Sequence, residues 1–192
     1  MISSVPKFIN PKPELEQYLT PPRIVASIIV RAFQLGDVFG KDIYDLCAGT
    51  GIFAKAASLM GARRTVSVEI DKKQLSLAKE WMKEETKNHF VNADLRYFSG
   101  RKLNTVFMNP PFGIQGKNRD IIFLKKALEL ADIVYSVHFF TSKNKTFLEN
   151  WVKKNGRNIE ETITYEFELP RQFYFHKKNK KITKTLVLRI TT

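Results

Sequence analysis

The sequence predicts a three-layer α/β domain whose mostly parallel sheet ends in an antiparallel hairpin. Three observations carry this. From residue 41 onward, short β-rich runs alternate with amphipathic segments of roughly ten or more residues. After residue 156, two long strand-like runs follow one another with no helix between them, which reads as a hairpin. The chain has 192 residues, 43% hydrophobic and 27% charged, close to the globular average and far from a disordered composition. That length fits one domain, residues 1–192, since domains typically run roughly 100 to 200 residues.

Taken in order, residues 1–19 hold Pro6, Pro11 and Pro13, with Pro21 just beyond, so this N-terminal arm should be irregular. Thr20 before Pro21 resembles a helix start, a hydroxyl cap followed by proline at the first helical position. Ile24, Val25, Ile28, Ile29 and Ala32 then form one apolar stripe, and Gly36 closes the helix. Strands are expected over Ile43 to Cys47, Thr65 to Ile70, His89 to Ala93, Asn104 to Met108 and Ile133 to Phe139. Helices are expected near 51–61, 72–87, 120–131 and 143–155, the third of these marked by Ile121, Leu124, Leu128 and Ala131 at helical spacing. Residues 157–192 complete the chain as a hairpin, from alternating Ile159 to Leu169 through a basic stretch to Thr185 to Ile190.

Charge narrows the partners. The 32 Lys and Arg outnumber 19 Asp and Glu, a formal excess of +13, which points to a polyanion: nucleic acid first, an anionic membrane surface second. The longest nearly apolar stretch, Ile24 to Val30, is bounded by Arg23 and Arg31 and falls far short of the roughly 20 residues a membrane span needs. The start lacks the basic and apolar pattern of a secretory signal. Cys47 is the single cysteine and cannot form an internal disulfide, so the cytoplasm is expected. His89, His138 and His176 are too scattered for a metal site.

Two turns carry chemistry. Asp45-Leu46-Cys47-Ala48-Gly49-Thr50-Gly51 lies where the first strand passes into a helix. Glycines there let the backbone approach a ligand, and the helix N-terminus offers unpaired N–H groups, which suits a nucleotide-like molecule. The second strand ends with Glu69 and Asp71, Glu69 standing 18 residues beyond Gly51, and an acid there can bind ribose hydroxyls. Glu69 is the better candidate, with Asp71 capping the next helix. The same glycine spacing also fits the dinucleotide turn of NAD enzymes.

The second turn is Asn109-Pro110-Pro111-Phe112-Gly113, at the end of the fourth strand. Two prolines cannot continue a central strand, so the chain leaves the sheet at the carboxyl edge, where α/β proteins bind ligands. Pro110 has no N–H, so its carbonyl and the Asn109 side-chain oxygen form a pair of acceptors. Aimed at one exocyclic amine, they would hold its nitrogen for attack, while a planar base stacks on Phe112.

Together these stretches resemble class I S-adenosylmethionine-dependent methyltransferases acting on amino nitrogens. The nearest resemblance is to the methyltransferase-like-five family of N6-adenine ribosomal RNA methyltransferases and its archaeal relatives. Glu16-Gln17-Tyr18-Leu19-Thr20 and Phe175-His176-Lys177-Lys178 also carry it. The resemblance implies a Rossmann-like class I methyltransferase fold, a mixed, mostly parallel seven-stranded sheet with helices on both faces and the antiparallel C-terminal hairpin. It implies S-adenosylmethionine as cofactor, with Asp45, Gly49 and Gly51 along its methionine side, Glu69 at its ribose and Asp94 at its adenine amine. Gln17, Tyr18 and Thr20 would close over cofactor and target, Asn109 would touch both, and Asn109, Pro110, Pro111 and Phe112 would hold a flipped adenine of small-subunit ribosomal RNA. Cys47 departs from the family, which commonly has glycine there.

Transfer would be a direct displacement by the adenine nitrogen on the sulfonium methyl, needing orientation more than a strong base. An adenine that leaves its stack costs least in a loop. The basic, aromatic-interleaved segment containing Arg171, His176, Lys177, Lys178, Lys180 and Lys181 reads as a clamp on RNA. Family members commonly need a zinc-binding activator of the Trm112 type on an edge strand, here implied for His89 to Ala93. The alternatives are a methyltransferase for DNA adenine or a protein glutamine amide, an NAD-dependent oxidoreductase, and a non-catalytic RNA-binding protein of this fold.

Overall fold

A computed structural model describes residues 2–112, 119–170 and 180–192. Among the described residues, five helices, α1 (Pro22–Gln34), α2 (Ile52–Leu59), α3 (Lys72–Trp81), α4 (Arg119–Leu130) and α5 (Ser142–Lys154), accompany seven strands. The strands are β1 (Asp42–Leu46), β2 (Arg64–Glu69), β3 (Asn88–Asn92), β4 (Leu103–Met108), β5 (Ala131–Phe139), β6 (Asn158–Pro170) and β7 (Lys180–Thr191). They form one sheet in the order β3-β2-β1-β4-β5-β7-β6. β1 to β5 are mutually parallel, and β7 pairs antiparallel with both β5 and β6. This is the Rossmann-like methyltransferase arrangement, and the C-terminal run pairs as the expected hairpin.

The core divides by sheet face. One apolar cluster joins Ile24, Ile28 and Ile29 of α1 and Phe53 of α2 to Ile43, Phe107 and Tyr135, and the other joins Leu124 of α4 and Leu148 of α5 to Leu46, Val106 and Val134. Burial on both faces explains why β1 reads Asp-Ile-Tyr-Asp-Leu with every residue buried, instead of alternating. Phe53, Phe107 and Tyr135 stack in series at 5.8 and 4.9 Å between centroids. Near the C-terminal end of α1, Asp37 receives hydrogen bonds from Tyr135 Oη at 2.6 Å and Arg189 Nε at 2.8 Å, tying the loop after α1 to β5 and β7.

Three local expectations need correction. The segment expected to be helical to residue 87 stops at Trp81: Met82 leaves helical geometry, and its carbonyl accepts from Glu85 N in a turn that delivers the chain to β3. Thr20 does not cap α1. Pro21 occupies the cap position with no side-chain bond, Pro22 is the first helical residue, and the Thr20 hydroxyl is engaged elsewhere. The arm, mostly irregular, contains two single 3-10 turns, Ile2–Ser4 and Pro13–Leu15.

β1, β2 and β3 run to one side of the sheet's centre and β4 and β5 to the other, so a crevice opens at the carboxyl ends of β1 and β4. Such a switch point is where open α/β sheets bind ligands.

Candidate active site

A cavity of about 350 Å³ occupies that crevice. Its floor is the glycine turn after β1. Gly49 and Gly51 have φ of +54° and +81°, a left-handed backbone that favours glycine. A Cβ on Gly49 would lie 2.8 Å from the Phe8 ring, and one on Gly51 would lie 2.6 Å from Met82 Cε. Cys47 adopts φ +55° as well, so this turn spends left-handed geometry on a side chain that resists it. Cys47 borders the cavity and packs against the apolar core, and burial pushes its thiol pKa well up, with the neighbouring carboxylates Glu69, Asp45 and Asp94 adding to the shift.

The acids after the glycine turn are held in defined roles. Glu69 accepts from Gly49 N at 2.8 Å and Asp71 N at 2.9 Å, which fixes its buried carboxylate at the cavity wall. Burial raises its pKa, against the lowering effect of those two backbone donors. Asp71 caps α3 through Lys73 N and takes Gln17 Nε2 at 3.1 Å and Lys12 Nζ at 3.2 Å. Asp71 therefore anchors the arm. Burial alone would raise its pKa, but these partners outweigh it and the pKa is lowered. Asp94 lines the cavity and is paired with Arg96, whose hydrogen bonds lower the Asp94 pKa.

The arm forms the outer wall. Phe8, Leu15, Gln17, Tyr18 and Thr20 all line the cavity. Ile9 exchanges two hydrogen bonds with the Gln74 side chain, which fixes the arm to α3. The Asn109 turn closes the far side, where Asn109 Nδ2 donates to Thr20 Oγ1 at 2.9 Å across 89 residues of sequence. Asn109 Oδ1 is buried and has no partner among the described residues, and Thr50 Oγ1 in the cavity wall is in the same state. A buried acceptor without a donor costs about 1–3 kcal/mol, so its persistence beside a cavity points to a ligand that donates there.

Most of the expected catalytic and cofactor residues are brought together here: Gln17, Tyr18, Thr20, Gly49, Glu69, Asp94, Asn109 and Pro111 all line the cavity. Others stand back from it. Asp45 is buried behind the turn, where its carboxylate accepts from Ala54 N at 2.9 Å and steadies the start of α2. Gly51 packs on α3. Pro110 is buried, and Phe112 is half-buried against the α1 and α2 cluster rather than lining the cavity. Arg171, His176, Lys177 and Lys178 lie outside the described residues, while Lys180 and Lys181 are placed by their backbones opposite Pro170 and Leu169. Sequence reasoning missed Phe8, Thr50, Ile122 and Phe123 as wall residues. Ile122 sits off the core stripe of α4 and is 51% exposed, a signal that periodicity alone could have supplied, whereas Phe123 packs against the core as well.

No group of three or more His, Cys, Asp or Glu side chains is arranged to hold a metal among the described residues. No described helix is long and apolar enough to cross a membrane.

The family described as the methyltransferase small domain matches residues 25–131. The chain belongs to this family of class I S-adenosylmethionine-dependent methyltransferases. The methyltransferase is 32% identical over 189 residues to the Drosophila melanogaster protein named rRNA N(6)-adenosine-methyltransferase Mettl5, covering 94% of this chain and 88% of that one. It is 32% identical over 202 residues to an uncharacterized Methanocaldococcus jannaschii protein, covering 99% and 90%. Among solved structures, a Pyrococcus horikoshii protein described as a candidate RNA methyltransferase superposes with a TM-score of 0.94 at 36% identity, covering 100% of this chain and 94% of that one.

Proposed function

We propose that this methyltransferase modifies the exocyclic N6 amine of an adenine in RNA, and that its substrate is small-subunit ribosomal RNA in the cytoplasm. The observation that carries the reading is the buried Oδ1 of Asn109, which has no partner among the described residues and belongs to a side chain that lines the cavity and is tied to Thr20. An acceptor without its own donor suits an incoming –NH2, and the names of the curated relatives point to adenosine in ribosomal RNA as the source of that amine.

The cavity's chemistry fits S-adenosylmethionine, which supplies an electrophilic methyl group when bound. Gly49 and the unpartnered Thr50 hydroxyl would face its amino-acid portion, Glu69 its ribose hydroxyls and Asp94 its adenine amine; Asp45 and Gly51 would support that turn from behind. Glu69 is preset for this, because two backbone donors fix its carboxylate before any ligand arrives. Gln17, Tyr18 and Thr20 would close the outer wall. Asn109 would orient the target amine by accepting one of its hydrogens, with the Pro110 carbonyl accepting the other. Pro111 would bound the base, whereas Phe112, packed against the α1 and α2 cluster, would have to turn outward to stack on it. Orientation of this kind is the main service required, since well-aligned reactants gain up to about 7–11 kcal/mol.

Two further parts belong to this reading. The segment from Arg171 to Lys181 would grip the RNA, through Arg171, His176, Lys177, Lys178, Lys180 and Lys181. A Trm112-type zinc-binding activator would dock on β3, which is an edge strand of the sheet and pairs only with β2 among the described strands.

The test uses purified protein, labelled S-adenosylmethionine and small-subunit ribosomal RNA, with and without a Trm112-type protein, and separates the nucleosides afterwards. Label in N6-methyladenosine, absent with Asn109→Ala, is expected. Label in another nucleoside, in DNA or in a glutamine amide would overturn the substrate assignment.

A further inference from the structure

At the opposite edge of the sheet from the cavity, around the N-terminal ends of β1, β2, β4 and β5, lies an open cleft of about 800 Å³. Asp42, Arg63, Arg64, Arg101, Lys102 and Asp132 line it. Arg63 donates to Asp42 through Nε and Nη2 at 2.8 Å each, Arg64 bonds the same carboxylate, and Arg101 Nη2 stands 3.6 Å away. Lys102 is paired with Asp132.

The donor count does not balance. A carboxylate offers roughly four lone-pair positions, whereas each guanidinium carries five N–H donors. Asp42, almost fully buried, gathers three guanidiniums into one fan and leaves most of their donors unused. The Arg63 and Arg101 side chains are each 67% exposed, and Arg64 Nε is buried with no partner among the described residues. Four cations against two carboxylates leave the cleft positive. Planar guanidinium forks match the oxygens of a phosphate better than any neutral group.

The catalytic cavity has the opposite character. Among its described lining residues are four carboxylates, Glu14, Glu16, Glu69 and Asp94, against one cation, Arg96, which is paired with Asp94. A polyanion is not held by such a lining, so the phosphate grip must lie elsewhere on a chain whose net charge is +13. Strands of six residues separate the two edges by about 20 Å, a distance that a folded RNA spans and a small anion does not. The cleft is also open on one side, which suits a polymer passing over it.

We infer that the Arg63, Arg64, Arg101 and Lys102 cleft binds phosphodiester groups of the RNA substrate, as a second contact remote from the target adenine. The inference rests on the RNA reading above and adds a site to it. The double substitution Arg63→Gln with Arg101→Gln tests it, because both side chains are exposed and Arg64 stays to pair with Asp42. Binding is measured over a salt series for two RNAs: a short single strand carrying the target adenine, and a long folded ribosomal fragment containing it. Thermal unfolding checks that the variant remains folded.

The expected result is unchanged binding of the short RNA and about tenfold weaker binding of the long one, with its log–log salt slope shallower by roughly 1.4–1.8, as the loss of two phosphate contacts requires. Equal effects on both RNAs, or none on the long one, overturn the second contact. Wild-type protein that binds neither RNA overturns the RNA reading beneath it, so the two failures are told apart.

Discussion

Asn109→Ala separates stability from catalysis in a way that few substitutions in this protein would. Among the described residues, Asn109 makes one good hydrogen bond, Nδ2 to Thr20 Oγ1 at 2.9 Å, and its buried Oδ1 finds no donor. Removing the bond costs about 1 kcal/mol, and removing an unsatisfied buried acceptor returns about 1–3 kcal/mol. The alanine variant should therefore be as stable as the wild type or up to about 2 kcal/mol more stable. If the lost oxygen holds the target amine, turnover should fall by roughly 10²–10³, the usual effect of removing one preorganised group from a dry active site. Cofactor affinity should hardly change, since Glu69 and the glycine turn are untouched. Asn109→Asp keeps an acceptor in place and should recover part of the rate. The assay is single-turnover methylation with saturating cofactor, beside urea unfolding and calorimetric cofactor binding. A rate loss matched by comparable losses in stability or in cofactor affinity would show that Asn109 is a structural residue.

Glu69 makes cofactor binding sensitive to pH. Burial holds its pKa above the ordinary 4.5, so on acidification it gains a proton earlier than an exposed carboxylate, whereas Asp94, lowered by Arg96, stays ionised. Affinity measured by calorimetry should be flat near neutrality and fall as the pH drops through that raised value; Glu69→Gln should bind about tenfold or more weakly at neutral pH and lose the step, and a step surviving in this variant refutes the assignment. Gly51→Ala should lower the urea midpoint at constant slope, by roughly 2 kcal/mol, because its Cβ would meet Met82 Cε at 2.6 Å in a left-handed backbone; unchanged stability would mean that the turn relaxes freely. Cys47→Gly relieves a left-handed side chain that costs roughly 1–2 kcal/mol, against an unfolded-state entropy penalty of about 0.5–1 kcal/mol. It should raise the melting temperature slightly with cofactor affinity unchanged, and a lowered one would show that the thiol packs usefully.

The parts of this molecule legible in its sequence are those governed by local pattern. The α1 stripe of Ile24, Val25, Ile28, Ile29 and Ala32 is wholly buried, and each parallel strand lies within two residues of its expected bounds, because buried β-rich runs between glycine and charged turns have few alternatives. The errors arise where a local signal competes with a distant partner. Thr20 has the chemistry of a cap, yet its hydroxyl meets Asn109, and nothing within a window around residue 20 encodes residue 109. Phe8 belongs to a proline-rich arm with no periodicity, so its position over Gly49 follows from tertiary packing alone. Asp45 lies in the glycine turn, and the bond its carboxylate accepts from Ala54 N at the start of α2 is likewise a contact that residue type and spacing do not announce.

On the proposed reading, the connection between Thr20 and Asn109 would let one cavity serve two ligands. The glycine turn, Glu69 and Asp94 sit on the β1, β2 and β3 half of the sheet, and Asn109 sits at the end of β4, across the switch point. The arm reaches over both. Gln17 and Lys12 hold it to Asp71 beyond β2, while two residues after Tyr18 the Thr20 hydroxyl takes the Asn109 amide. One short segment thus ties the half that would hold the cofactor to the turn that would hold the amine. Among the described residues, the contacts on the β2 side include an ion pair and a buried amide, and the hydrogen bond on the β4 side joins two neutral groups.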